Sequence, residues 1–498
     1  MTSLSTAVDA SAVARVLGIQ TVFKDLRGGR IVNLPQSIGV VGQGATASSY
    51  STTKAQYTNA FDVGSAYGFG SPLHLAARQL FPSNGDGVGT VPVWFYPLDD
   101  DGSGVAAAGD ITPGGAATAD ASYIIRVNNI DSTAVTVSTG DTVAAIVTAV
   151  TTAINAVVEM PIIAVDNTTQ VDFTSKWKGA SANDIYVEVV GTSTSVSFAI
   201  TQATGGLVNP DVDTALNQVG DVWQTMFLSC MEIADTTTLG KYSTFGEGRW
   251  GALVRKPCVV FTGNTEATVA TAITVSDARK TDRTNSQLVA PGSNDLPFVV
   301  AARQLARIAV VANNNPPVDY GRQAATGLVP GTDAQQWTYA QQDQAVKGGS
   351  STTIVKDSVI NIGDVVTFYH PTGDPTPAYR YVVDIVKLQN IIFNLDLIFN
   401  TAEWDGAPLI PDDQPTTNRS AKKPKMAVAS VAAMVDNLGL AAIISDPATA
   451  KATIRAEIDS QNPKRLNLVV TVQLSGNTNI KSIDLEFGFY FGTSAIAA

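Results

Sequence analysis

The chain has 498 residues, 45% of them hydrophobic and only 15% charged, with a net charge of −12, two cysteines and two histidines. Its length allows about two to four domains with sizeable cores, and its acidic balance argues against broad contact with a nucleic-acid backbone, which needs a basic footprint. The charge content is well below the roughly 25% of ordinary soluble domains, as suits a chain that hides much of its surface against partners.

No run of about 18 apolar residues occurs, and the N-terminus lacks a basic-then-apolar leader. The sequence therefore reads as that of a protein made and used without passing through a secretory membrane. Residues 1–30 contain one short β-like stretch, Gln20-Thr21-Val22-Phe23, and no core-forming periodicity, so they read as an arm. Ser37–Gly42 then predicts a buried strand running into a Gly-rich turn. A helix near Pro72–Leu80 and a strand at Val91–Tyr96 follow, opening an α/β domain. From Asp99 the composition shifts to Gly, Thr, Ser and Val. Strands are predicted at Ser122–Asn128, Ala134–Val137, Ile162–Val165, Gln170–Phe173, Ile185–Val190 and Ser195–Ile200. One helix interrupts them, with Asp141 as its N-cap. Bounded by Gly102–Gly115 and Gly205-Gly206, residues 101–206 read as an inserted β-rich outer domain.

The α/β pattern resumes after residue 206, so that 31–100 with 207–378 would form one discontinuous core. Strands are expected at Thr225–Cys230 and Cys258–Phe261, and helices at Glu266–Ser276, Pro297–Ala312 and Thr332–Lys347. A hairpin is expected of Thr352–Lys356 with Val365–Tyr369. Residues 379–498 read as a C-terminal domain with helices at Tyr379–Asn400 and Ala427–Leu438. They end in a strand pair. Leu466, Leu468, Val470, Val472 and Leu474 alternate with Asn467, Val469, Thr471 and Gln473. After Ser475–Asn479, Ile483, Leu485, Phe487, Phe489 and Phe491 alternate with Ser482, Asp484, Glu486, Gly488 and Tyr490. An isolated two-stranded hairpin is marginal in water, and its edges offer unpaired N–H and C=O groups. Its partners are either earlier segments or other copies of the chain.

Chemical motifs are sparse. Gly42-Gln43-Gly44-Ala45-Thr46-Ala47 fits the loose dinucleotide pattern, with Asp62 near the spacing of a ribose-binding acid. A dinucleotide-dependent oxidoreductase is the enzyme-class reading this pattern would allow. However, the polar Ser48–Thr53 stretch that follows is no helix former, so a strand-to-loop turn is the plainer reading. His74 at a helix start and His370 in a Tyr-His-Pro turn have no nucleophile pattern around them, and Asp412-Asp413 sits in a Pro-rich loop. Cys230 and Cys258 read as reduced core thiols. Neither a catalytic residue nor a cofactor or metal site is expected. Two basic clusters stand out in the acidic chain, Lys422-Lys423-Pro424-Lys425 and Lys464-Arg465. They suit either solvation or an acidic partner surface.

Val13–Thr21 followed by Asn33–Gly44, then Tyr67–Leu73, Leu80-Phe81-Pro82 and Val91–Leu98, resemble the start of Mu-like contractile phage tail sheath proteins. Ser138–Thr142 and Lys178–Asp184 resemble the β module of those sheaths, and Gly205-Gly206 with Asn209-Pro210-Asp211 resembles its re-entry into the core. The resemblance implies a subtilisin-like α/β core without protease activity, an inserted β-rich domain and an α+β C-terminal domain facing an inner tube. It implies strand exchange between subunits, with Gln20, Thr21, Val22 and Phe23 and the C-terminal strands as participants. Either residues after Gly492 or Ile480–Phe491 itself would be donated. It places Lys422, Lys423, Lys425, Lys464 and Arg465 toward the tube. The implied protein is a virion tail component assembled in the host bacterial cytoplasm. It would form six-fold rings with neighbouring sheath subunits, meet tube, baseplate and tail terminator proteins, and bind neither nucleic acid nor membrane. The sheath of a phage-tail-like bacteriocin or another contractile injection particle is the structural alternative.

Overall fold

In a computed structural model of the chain, the described residues are 32–191, 193–374, 377–485 and 487. The expected arm, including Gln20–Phe23, lies outside them, as do Glu486, Phe489 and Phe491. The described chain divides into two units. One comprises residues 33–393 with the segment from Gly476, and the other comprises Val32 with Asn394–Ser475.

The larger unit begins with β1 (Ile38–Gln43), every residue of which is buried, then β2 (Ala55–Gln56), α1 (Ala60–Tyr67), α2 (Pro72–Leu80) and β3 (Val93–Leu98). Helix α2 starts where the residues demand it. Ser71 accepts a hydrogen bond from the His74 amide, and Pro72 occupies the first turn, where its missing N–H costs nothing. An inserted module follows: β4 (Ala106–Pro113), β5 (Ala121–Val127), β6 (Ile130–Asp131), β7 (Val135–Val137), α3 (Val143–Asn155), β8 (Ile162–Asp166), β9 (Val171–Lys178), β10 (Val187–Val190) and β11 (Phe198–Thr204). Its two sheets run β10-β5-β6, with β7 also on β5, and β11-β4-β9-β8. Two expectations need correction here. The stretch Gly102–Gly115, read as a joint, contains β4 at the centre of a sheet. Its Ala106-Ala107-Ala108-Gly109 run shows no apolar alternation because the small residues make room for a neighbour. A Cβ on Gly109 would lie 2.5 Å from the Phe173 ring and 2.3 Å from the Thr201 carbonyl. The N-cap of α3 is Thr142, not Asp141; Asp141 instead accepts from the Ser138 amide at 2.7 Å.

After the module come α4 (Asp213–Leu216), β12 (Met226–Ser229), α5 (Thr236–Trp250), β13 (Val259–Asn264), α6 (Val269–Ala272), α7 (Thr274–Asp277), β14 (Asn285–Val289), α8 (Pro297–Asn314), α9 (Tyr339–Lys347), β15 (Thr353–Lys356), β16 (Val359–Ile362) and α10 (Val382–Phe399). The central sheet has the order β14-β13-β12-β1-β3-β2, parallel throughout except for the edge strand β2. Alternate residues feed two cores, as a sheet covered on both faces requires. Ile38, Val40, Phe95, Met226, Leu228 and Phe261 pack with residues of α2 and α8. Val41, Tyr96, Leu98, Phe227 and Val260 pack with Leu216 of α4 and Tyr242 of α5. The hairpin partner of Thr353–Lys356 is Val359–Ile362 rather than Val365–Tyr369. The reason is local: Asp357 and Ser358 both adopt positive φ, at 51° and 61°, which closes a two-residue turn matched to strand twist.

The smaller unit holds α11 (Pro424–Leu440), β17 (Ile444–Ser445), α12 (Pro447–Thr453), β18 (Arg455–Ile458), β19 (Leu466–Val469) and β20 (Gln473–Leu474). Ala427, Val431, Val435 and Leu438 form the buried stripe of α11. The expected start of the C-terminal domain, at residue 379, precedes α10, whereas the division between units falls within that helix, at Asn394.

Candidate functional site

The five parallel strands of the central sheet follow the doubly wound order, with β1 and β12 adjacent where the winding reverses. That crevice, outside the carboxyl ends, is where such sheets hold ligands. Here the root of the inserted module fills it. Gln43 is wholly buried; its Nε2 donates to the Lys178 carbonyl at 2.7 Å and to the Asp100 carboxylate. The Ala180 amide donates to Asn209 Oδ1 at 3.0 Å, while Asn209 Nδ2 reaches Glu232 and Asp235, each at 2.8 Å. Trp177, fully buried, stacks edge-on against Phe298 of α8.

The Gly42–Ala47 turn cannot cradle pyrophosphate either. Tyr50 closes over it, its hydroxyl accepting from the Gly44 amide at 3.1 Å and donating to the Leu98 carbonyl at 2.9 Å. A Cβ on Gly44 would sit 2.3 Å from that ring. The first helix after β1 starts only at Ala60. Asp62 serves that helix start, accepting from Asn59 Nδ2 at 2.6 Å while its own amide donates to Asn59 Oδ1.

The other titratable groups have structural roles. Both thiols are buried and unpaired; burial pushes Cys258 up to about 12 and Cys230 higher still. The His370 ring is buried, with Nδ1 2.7 Å from the Phe368 carbonyl and Nε2 3.1 Å from Asp277 Oδ1. His74 is buried with Nδ1 accepting from the Gly70 amide at 3.0 Å. Burial first, then Arg78 and Lys176, lowers its pKa from 6.5 to about 4. The unfolded chain thus takes up this proton near pH 6.5 while the folded chain resists until about pH 4. Stability is therefore whole above pH 6.5 and falls as pH is lowered through that window. The loss expected from this side chain is about 3 kcal/mol. Urea titrations between pH 7 and 4 should show it in the wild type and not in His74→Gln; parallel slopes in both would assign it elsewhere. Among the described residues no group of three or more His, Cys, Asp or Glu could hold a metal ion. No helix among them is long and apolar enough to cross a membrane.

Among the described residues the smaller unit holds only short strand pairs. The run from Leu466 to Leu474 is not one strand. β19 pairs antiparallel with β18, and β20 pairs with β17. Between them Thr453 takes the place of a ladder neighbour, its hydroxyl accepting from the Thr471 amide at 2.9 Å. Leu466, Leu468, Val470, Val472 and Leu474 are half-buried, so the face predicted to be apolar is only partly covered. Among the described residues each sheet has two strands, with no further ladder neighbour on either side. The expected second strand lies in large part outside the described residues, which end at 485 and 487. Ile480–Leu485 and Phe487 form no ladder, and Ile483, Leu485 and Phe487 are 77–87% exposed.

The basic clusters divide. Lys422 is not a surface charge. Its side chain is 5% exposed, paired with Glu403, and 5.4 Å from the Trp404 ring. Lys423 and Lys425 both reach the Asp412 carbonyl, and the Asp412 carboxylate accepts from the Lys425 amide at 2.9 Å at the start of α11. Lys464 lines a groove of about 500 Å³ with Trp404, Pro408, Lys422 and Leu466. Arg465 stands 3.9 Å from Asp459. Sequence periodicity did not reveal the buried Lys387 on α10; a lysine flanked by Val383, Ile385 and Val386 was the available signal.

No protein-family model matches the chain. It is 24% identical over 439 residues to the Mu-like prophage FluMu tail sheath protein of Haemophilus influenzae, covering 84% of this chain and 86% of that protein. Among solved structures it is similar to a sheath tail protein of Desulfitobacterium hafniense (14% identity, 92% and 100% of the two chains, TM-score 0.45). It is also similar to a sheath tail protein of Listeria innocua (13% identity, 90% and 94%, TM-score 0.48). The sequence similarity extends over 84% of the chain, and over that length the chain is similar to a Mu-like prophage tail sheath protein.

Proposed function

We propose that the protein is the structural subunit of a contractile tail sheath, which polymerises as stacked six-fold rings around a tail tube and shortens to drive that tube through a host envelope. The observation that carries this reading is the sequence similarity to a tail sheath protein over 439 residues. The structure supplies two physical supports. Among the described residues the strand pairs of the smaller unit have no further ladder neighbour, and the apolar segment that follows them in the chain has no cover. The one crevice where a doubly wound sheet would bind a cofactor is filled by the root of the inserted module. In this reading the core is the subtilisin-like domain of sheaths, without protease activity, and residues 101–206 face outward from the polymer. The N-terminal arm with Gln20–Phe23 and the C-terminal segment with Ile483, Leu485, Phe487, Phe489 and Phe491 pair with strands of neighbouring subunits, as β-strand addition requires. Lys423, Lys425, Lys464 and Arg465 face the tube, and Lys422 keeps a structural place beside Glu403. Energy is held in the packing of subunits, so no nucleotide is needed. The baseplate and a tail terminator bound the polymer in a virion tail built in the bacterial cytoplasm.

Purified protein is expected to form long hollow cylinders on negatively stained grids. A stable monomer in sedimentation at high concentration, with no particles on grids, would overturn the reading.

A further inference from the structure

The chain changes unit between Ser475 and Gly476. Ser475 still belongs to the smaller unit, its amide donating to the Ile443 carbonyl at 3.1 Å. Two residues on, Asn477 is bonded within the larger unit to two different elements. Its Oδ1 accepts from Lys387 Nζ at 2.7 Å, and its Nδ2 donates to the Pro317 carbonyl at 2.8 Å. Lys387 is wholly buried on α10, where its ammonium also donates to Asp384 at 3.0 Å. An ammonium out of water is costly unless its protons are bonded, so Asn477 is part of what makes that lysine tolerable. Asn479 adds a hydrogen bond to Asp319, two residues beyond Pro317. Directly after this turn Ile480, Ile483, Leu485 and Phe487 stand exposed. A segment that stands exposed among the described residues thus grows from a root bonded to a buried charge.

We propose that Asn477 and Lys387 form a clip that fixes the point and direction in which the apolar C-terminal segment leaves the larger unit, so that tension on the segment reaches α10 rather than the short sheets of the smaller unit. Two bonds to separate elements fix rotation as well as position, which a single bond would not. The consequence for assembly rests on reading the segment as a contact between subunits; the clip itself does not.

The test uses full-length protein carrying Asn477→Ala, first unassembled and then at assembling concentrations. Losing one charge-assisted and one neutral hydrogen bond should speed exchange of the Asn479 amide, which donates to the Asn477 carbonyl at 3.0 Å, roughly tenfold or more. Asn477→Asp, which keeps the acceptor for Lys387 and loses the donor to Pro317, should fall between. Equal exchange in wild type and Asn477→Ala overturns the clip. At assembling concentrations Asn477→Ala should need roughly tenfold more protein to polymerise. If wild type polymerises and the variant does so at the same concentration, the directing role is wrong. If wild type itself never polymerises, the subunit reading fails, and the exchange measurement still decides the clip.

Discussion

Replacing Ile483, Leu485 and Phe487 together by Ser is expected to abolish polymer formation while leaving the melting temperature of the isolated subunit unchanged. The three side chains are 82%, 77% and 87% exposed. Removing their apolar atoms takes away almost nothing the folded subunit uses. In an assembled lattice each would be worth about 1.5–3 kcal/mol if fully buried. Together they amount to roughly 5 kcal/mol per junction, or between 10³ and 10⁴ in an association constant. The cost of ordering the backbone of the segment is common to wild type and variant, so it does not dilute the difference. Spacing sharpens the experiment. In an added strand Ser482 and Asp484 point to the opposite face from Ile483 and Leu485. Ala at 482 and 484 should therefore leave the threshold for assembly within a few-fold of wild type. Sedimentation of both variants beside thermal unfolding separates an assembly defect from a folding defect. Cylinders from the triple variant at the wild-type concentration would rule this segment out as the contact.

The apolar period of that segment was plain in the sequence, but its partner was not. Alternation reports which side chains want cover and is silent about who provides it. The same limit explains the break at Val470–Val472, where the hydroxyl of Thr453 substitutes for a strand neighbour and no residue within the run signals it. The buried strands of the parallel sheet are legible where an apolar run marks them, as Ser37–Gly42 does for β1 and Cys258–Phe261 for the start of β13. β14 is not, because its burial rests on polar residues with dedicated partners. Asn285 donates to the Leu239 carbonyl, Ser286 to that of Val366 and Gln287 to that of Ala272. Helix α5, with its four threonines and serines in the first half and three glycines, offers little propensity for a helix and is not legible in the sequence. It forms because Asp235 caps it and Leu239 and Tyr242 bury against the sheet. For the basic clusters, sequence exposed the charges but not their counter-charges, which is why Lys422 read as a surface residue although Glu403 and Trp404 hold it inside.

Asp86→Ala is expected to destabilise the larger unit by about 3 kcal/mol, the lower end of what breaking a buried ion pair costs. Arg303 lies at the middle of α8 with its side chain 1% exposed. Its guanidinium donates to the Asp86 carboxylate at 2.8 Å, to the Asp86 carbonyl at 2.7 Å and to the Thr326 hydroxyl at 2.6 Å. Arg307, one helical turn later, meets the other oxygen of the same carboxylate and also Gln323. One aspartate therefore compensates two cations and ties the loop between α2 and β3 to the helix that covers one face of the sheet. Burial pulls the Arg303 pKa down, and the Asp86 charge opposes that pull. Because the Asp86 side chain is one-third exposed, water offsets part of its loss, hence the lower figure. Asp86→Asn should cost nearly as much, since it keeps the shape and removes the charge. Arg303→Met made in the Asp86→Ala background should recover about 1 kcal/mol or more, because the stranded cation leaves with it. Urea unfolding of the three variants measures this directly. A loss below about 0.5 kcal/mol in Asp86→Ala would mean that Arg303 finds water when its partner goes, and that the loop is held to α8 by packing alone.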